Sequence, residues 1–148
     1  MKTPMRMREK IVLRVVAQAC IPFILLFALY VQFHGDFGPG GGFQAGVICA
    51  AGFILYGLIF GLDKLKKVIS FRTIEILVAA GLLLYGSVGL LTIGMGGNYL
   101  DYKVLDHHDP MHGLHYGILF VELGVGVTVT AAMLAIFYAF AGRRKVDV

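Results

Sequence analysis

Residues Ile11–Phe33 read IVLRVVAQACIPFILLFALYVQF, and this stretch decides the fold. It carries a single charge, Arg14, about one turn from its start. At 1.5 Å per helical residue it is long enough to cross a hydrocarbon layer of about 30 Å. Three further stretches share its character: Phe43–Leu62, Ile74–Gly94 and Leu114–Ala141. Inside lipid every backbone N–H and C=O must be paired within the chain, and a helix achieves this alone. The expected fold is all-α, a polytopic membrane protein with four transmembrane helices.

The basic residues orient those helices. Lys2, Arg6, Arg8, Lys10 and Arg14 precede or open the first span, and Lys64, Lys66, Lys67 and Arg72 lie between the second and third. Arg143, Arg144 and Lys145 follow the fourth, and the other two loops contain only Lys103. This is the positive-inside pattern for an even number of spans. It predicts cytoplasmic N- and C-termini in a multi-pass protein of the cell membrane. The formal charge of +4 then belongs to a surface facing anionic lipids, and no nucleic-acid partner is expected.

A hydrophobic content of 58% and a mean hydropathy of +0.81 exclude an ordinary soluble domain. Once four spans are placed, 148 residues leave no room for another globular unit, so residues 1–148 are expected to form one membrane domain. Cys20 and Cys49 fall within spans and read as small buried hydrophobes. Pro22 interrupts the first span and predicts a kink there. Lys64–Phe71 reads as a short basic loop.

The most distinctive local sequence is Gly38-Pro39-Gly40-Gly41-Gly42-Phe43-Gln44-Ala45-Gly46. It fits a loose dinucleotide-binding pattern, but that fingerprint needs a preceding strand, and a membrane helix precedes it here. The segment reads first as a tight crossover that docks on a neighbouring subunit. A second reading is backbone that descends unwound and offers carbonyls to a cation. Small residues four apart at Gly42–Gly46, Gly57–Gly61 and Gly113–Gly117 are candidates for close helix contact.

Ionisable groups at membrane depth are costly and face protein or water. Glu122 lies within the fourth span, and His115, seven positions earlier, shares its face. His108 and His112 extend that stripe if the helix starts early. A histidine and a carboxylate on one stripe can relay protons; the competing reading is one interhelical hydrogen bond or ion pair from Glu122 to a partner subunit, with His115 at the interface. Glu75, near the start of the third span, reads as a helix-capping carboxylate, and Gln18 as interhelical glue. The histidines near residues 107–115 match no metal or haem spacing. No metal or cofactor is expected. No nucleophile–base pair is apparent, so the chain is not expected to be an enzyme.

The segment from His34 to Gly46 resembles the signature hairpin of the MnhB/MrpB family, small membrane subunits of Mrp-type multisubunit Na⁺/H⁺ antiporters. The matching positions are His34, Gly35, Pro39, Gly40, Gly41, Gly42, Phe43, Gln44 and Gly46. The resemblance extends over the whole chain. It implies an accessory subunit whose partners are the other membrane subunits and lipids, in an assembly that moves Na⁺ and H⁺. The hairpin residues, with Glu75, His115 and Glu122, are then candidates for subunit contact or the ion path. Similar domains occur in membrane-bound hydrogenases related to respiratory complex I, which makes a redox-driven ion pump the alternative parent assembly.

Overall fold

A computed structural model of the chain describes residues 11–35, 38–106 and 109–142. The amino-terminal basic residues up to Lys10, Asp36 and Phe37 of the hairpin, His107, His108, and Arg143 to Lys145 lie outside them. Five α-helices and a 3-10 turn follow one another: α1 (Ile11–His34), α2 (Gly42–Phe60), α3 (Leu62–Val68), α4 (Phe71–Gly94), the turn Tyr102–Leu105, and α5 (Pro110–Gly142). Helices α1, α2, α4 and α5 are each long and apolar enough to span a membrane.

The expected basic loop is instead partly helical. Leu62, Leu65, Val68 and Ile69 recur at three- and four-residue spacing, so α3 has an apolar edge. Leu65 is fully buried beside Ile74, Ala131, Leu134 and Tyr138. Gly61, at φ 98°, makes the turn from α2 into α3. Tyr138 Oη donates to the Ile69 carbonyl at 2.7 Å and ties α5 to this corner. The lysines of α3 thus sit on a short helix that closes one end of the bundle.

Helix α4 begins at Ser70, whose side chain accepts from the Thr73 N–H at 3.1 Å. Ser70, and not Glu75, supplies the cap; Glu75 lies exposed farther along the helix. Helix α1 continues through Pro22 as a single 24-residue element. Cys20 is exposed on its outer face, against the sequence reading, and Cys49 is half-buried. Positions on a weakly packed helix are apolar because of lipid, so apolarity alone does not predict burial in protein.

At the opposite end, Asp109 caps α5: its carboxylate accepts from the Met111 N–H at 3.0 Å, and Pro110 takes the first helical position. The helix therefore starts four residues earlier than expected and includes His112. Gly113 and Gly117 receive the 3-10 turn, because a Cβ on either would collide with Tyr102. Burial, with the Tyr85 and Tyr99 phenols nearby, pushes the Tyr102 phenol up, so it packs as a neutral ring.

The bundle has a serial layout: α1 packs on α2, α2 on α5, and α5 on α4, while α1 scarcely touches α5. Close approach of α4 and α5 occurs at two glycines. A Cβ on Gly81 would lie 2.7 Å from the Gly124 carbonyl, and one on Gly124 2.8 Å from the Gly81 carbonyl. Nothing lies within 4 Å of a Cβ on Gly86, five residues further along. We expect Gly81→Ala to lower stability by about 1–3 kcal/mol through overpacking, and Gly86→Ala to leave it unchanged or raised. Thermal unfolding of the detergent-solubilised protein checks this; equal midpoints for the two variants would contradict the assigned crossing.

A candidate carboxylate site beneath the glycine turn

The glycine turn between α1 and α2 is folded around Glu122. The Gly41 N–H donates to the Val31 carbonyl at 3.4 Å, drawing the turn back over the end of α1. Gly40 lies so close to the same carbonyl that a Cβ would come within 2.9 Å of it. Gly41 has φ 124°, a conformation open to glycine and strained for other residues. The next residue, Gly42, starts α2 directly against α5, where a Cβ would collide with the Glu122 carbonyl.

The Glu122 side chain enters the concavity so formed. A Cβ on Gly35 would stand 2.6 Å from Glu122 Oε2, and one on Gly41 2.9 Å from Oε1. Absent side chains at Gly35 and Gly41 thus make the space that the carboxylate fills. Gly41 is also the N-cap of α2 and has no side chain to cap it. The first N–H groups of any helix lack intrahelical acceptors, and the helix dipole favours negative charge there. Glu122 stands where a capping carboxylate would stand, supplied from another helix.

The depth of this contact follows from helix lengths. Glu122 lies twelve residues from Pro110, about 18 Å along α5 at 1.5 Å per residue. The glycine turn therefore meets the interior of α5 and not its end.

Below the carboxylate, α5 continues a small and polar stripe at four-residue spacing: Glu122, Gly126 and Thr130. It faces Gly42 and Gly46 of α2. The Thr130 hydroxyl donates to the Gly46 carbonyl at 3.1 Å and to its own-helix Gly126 carbonyl at 2.8 Å. Gln32 of α1, 6% exposed, lies against Gly126: a Cβ there would come 2.5 Å from Gln32 Oε1 and 3.2 Å from the Gly42 carbonyl. Its amide nitrogen is buried without an acceptor among the described residues. Gln32, Cys49 and Thr130 line a cavity of about 200 Å³ whose other walls are apolar.

The remaining sequence candidates separate clearly. His34 ends α1, exposed, with its ring stacked on Tyr30 at 5.0 Å. Pro39, Phe43 and Gln44 are exposed around the turn, Phe43 at 62%. His115 is exposed near the start of α5, about two turns from Glu122, and Glu75 lies toward the other end of the bundle on α4. The structure thus brings together Gly35, Gly40, Gly41, Gly42 and Glu122, and leaves His34, Pro39, Phe43 and Gln44 on the rim. Sequence reasoning missed Gln32 and Thr130. The signal was present in the four-residue spacing of Glu122, Gly126 and Thr130, but nothing in α1 marked Gln32 as their neighbour.

A family model described as a domain related to the MnhB subunit of Na⁺/H⁺ antiporter matches residues 12–135. The chain belongs to the MnhB family. Its relatives include antiporter subunit mnhB2 of Staphylococcus haemolyticus (strain JCSC1435), 29% identical over 137 residues, covering 91% of this chain and 96% of the relative. The protein of the same name from Staphylococcus aureus (strain Newman) is 30% identical over 139 residues, with the same coverage. For this MnhB-family chain the match includes both halves of the site, the turn and the helix that fills it.

The two kinds of collision at the turn make a test. A Cβ on Gly35 meets chiefly the movable end of the Glu122 side chain, with the Gly41 Cα also at 3.0 Å, whereas one on Gly42 meets the backbone of α5. Gly35→Ala should destabilise the protein and be relieved in large part by Glu122→Asp, which withdraws the carboxylate by one methylene. Gly42→Ala should cost about 1–3 kcal/mol and gain nothing from Glu122→Asp. Unfolding midpoints of the three single and two double variants decide it, and relief of both glycine variants alike would contradict the arrangement.

Proposed function

We propose that this chain is an accessory, non-enzymatic subunit of a multisubunit Na⁺/H⁺ antiporter in the cell membrane, with its glycine turn and Glu122 forming a charge-handling contact beside the ion path. The observation that carries the reading is the carboxylate held inside the bundle by Gly35 and Gly41, at the head of α2. An ionised carboxyl group at membrane depth costs about 3 kcal/mol on insertion scales. A site built around it has a use for the charge or for the proton that cancels it. Gln32 and Thr130 extend the polar stripe inward from that group.

Family membership supports the assembly, since the relatives are named as antiporter subunits. It favours the antiporter over the redox-driven pump. A partner-dependent role also suits the packing: α1 is largely exposed, and Phe43 and Gln44 project from the turn where a neighbouring subunit can reach them. In this reading the larger subunits carry the main proton route. The present chain completes the membrane assembly and places one carboxylate at its edge, and cytoplasmic termini follow from the basic residues.

Glu122→Gln keeps the shape of the side chain and removes its charge, which separates scaffold from ion handling. In everted vesicles from cells lacking the native gene, the variant complex should assemble at normal abundance. Sodium-dependent collapse of the pH gradient should fall by roughly tenfold, less than the roughly hundredfold or more that losing a group on the main proton route would cost. Normal transport by Glu122→Gln would reduce the chain to a scaffold, and normal sodium tolerance after deleting the gene would remove the antiporter reading itself.

A further inference from the structure

At the basic end of the bundle, away from Glu122, a recess of about 290 Å³ opens between α1 and the α2–α3 corner. Two cations from different elements converge on it. The Arg14 guanidinium carbon lies 5.5 Å from the centre of the Phe60 ring, and Lys64 Nζ lies 6.0 Å from the same centre. Phe60 is 8% exposed and belongs to a small core with Ala17 and Ile59, so the ring is a fixed platform. Neither cation forms an ion pair with a carboxylate of the described residues. Asp63, the carboxylate next to Lys64 in sequence, is absent from the lining.

The lining changes character along α1: Arg14 and Gln18 come first, near Lys64, and Ile21 and Pro22 follow further along the helix. Seven residues separate Arg14 from Ile21, about 10 Å of helix. Pro22 has no N–H, so the backbone bond that residue would give the Gln18 carbonyl is missing. The side chains of Gln18 and Tyr56 add polar groups to the lining.

We propose that this recess binds the headgroup of an anionic phospholipid, its phosphate between Arg14 and Lys64 and its acyl chain along Ile21 and Pro22. The guanidinium supplies a planar fork that matches phosphate oxygens, and the ammonium supplies a second, mobile charge. Gln18 and Tyr56 meet the glycerol and ester oxygens. The gradient from cations to apolar wall runs along α1, as a lipid does from headgroup to tail. A free phosphate ion would use the cations and leave Ile21 and Pro22 without a role. The site lies at the face that the basic loops assign to the anionic leaflet, and it stands whether or not the antiporter reading holds.

The test uses membranes holding the full chain with its natural partners, and it reads lipid contact instead of transport. Diazirine-tailed phosphatidylglycerol and phosphatidylcholine probes are incorporated in parallel, and adducts are mapped by mass spectrometry. The phosphatidylglycerol probe should label the segments around Ile21–Pro22 and Tyr56, and the phosphatidylcholine probe much less. Arg14→Gln with Lys64→Gln should cut labelling roughly tenfold or more, as expected for two basic groups lost at an anionic surface. Arg14→Lys, which keeps the charge and guards against misfolding as the cause, should retain most of it. Equal labelling by the two probes, or unchanged labelling in the double variant, overturns the proposal. So does loss of the adduct on adding inorganic phosphate, or crosslinking of Lys64 to an acidic residue of another subunit in place of lipid.

Discussion

A carboxyl group placed twelve residues inside a long apolar helix must be met by polar partners or water, and in this protein a turn built of glycine meets it. The contact of Glu122 with Gly35, Gly41 and Gly42 organises much of the fold. It fixes where α2 begins, since Gly42 lies against the α5 backbone with no room for a side chain. It also fixes the rotation of α5 about its axis, because the stripe from Glu122 through Gly126 to Thr130 must face α2. Thr130 then completes the seam by bonding to Gly46. Helix α1, which packs chiefly on α2, is held at this end by the same turn, through the Gly41 bond to Val31 and through Gln32 beside Gly126.

Glycine serves two purposes in these helices. At Gly81 and Gly124 it lets two backbones touch where lipid gives no hydrophobic reason to associate. At Gly35 and Gly41 it removes side chains so that another residue's carboxylate can enter. The first use rests on van der Waals contact. The second creates a chemically specific place within a span, and it joins the most distinctive sequence of the chain to its one acidic group deep in a transmembrane helix.

The two ends of the bundle carry opposite assignments. The glycine-turn end holds Glu122 at the head of α2, and the basic end holds Arg14 and Lys64 over Phe60. Between them the bundle is thin: α1, α2, α5 and α4 follow one another in a row, with long apolar faces left uncovered. Such a layer has surface for neighbours on both sides, as an antiporter subunit requires. That uncovered surface includes the recess at Arg14, lined by cations at one end and by Ile21 and Pro22 at the other.

The number of spans, the order of the helices and the closeness of Gly42–Gly46 and Gly113–Gly117 to neighbouring elements were legible in the sequence. Length, hydropathy and the spacing of small residues are local properties, and the bilayer sets the required length. The glycine-rich turn was also visible as unusual, as was Glu122 as a charge out of place, but they appeared as separate features. Only the tertiary structure joined them, because the pairing spans more than eighty residues and depends on the rotation of α5. The same holds for Gln32, an unremarkable residue of α1 until α5 brings Gly126 against it. It holds for Ser70 replacing Glu75 as the cap, and for α3, whose apolar residues are too few to declare a helix before Tyr138 and Ile74 pack on Leu65. Composition tells a membrane helix where it must lie; which of its faces meets which neighbour is settled by contacts between side chains far apart in the chain.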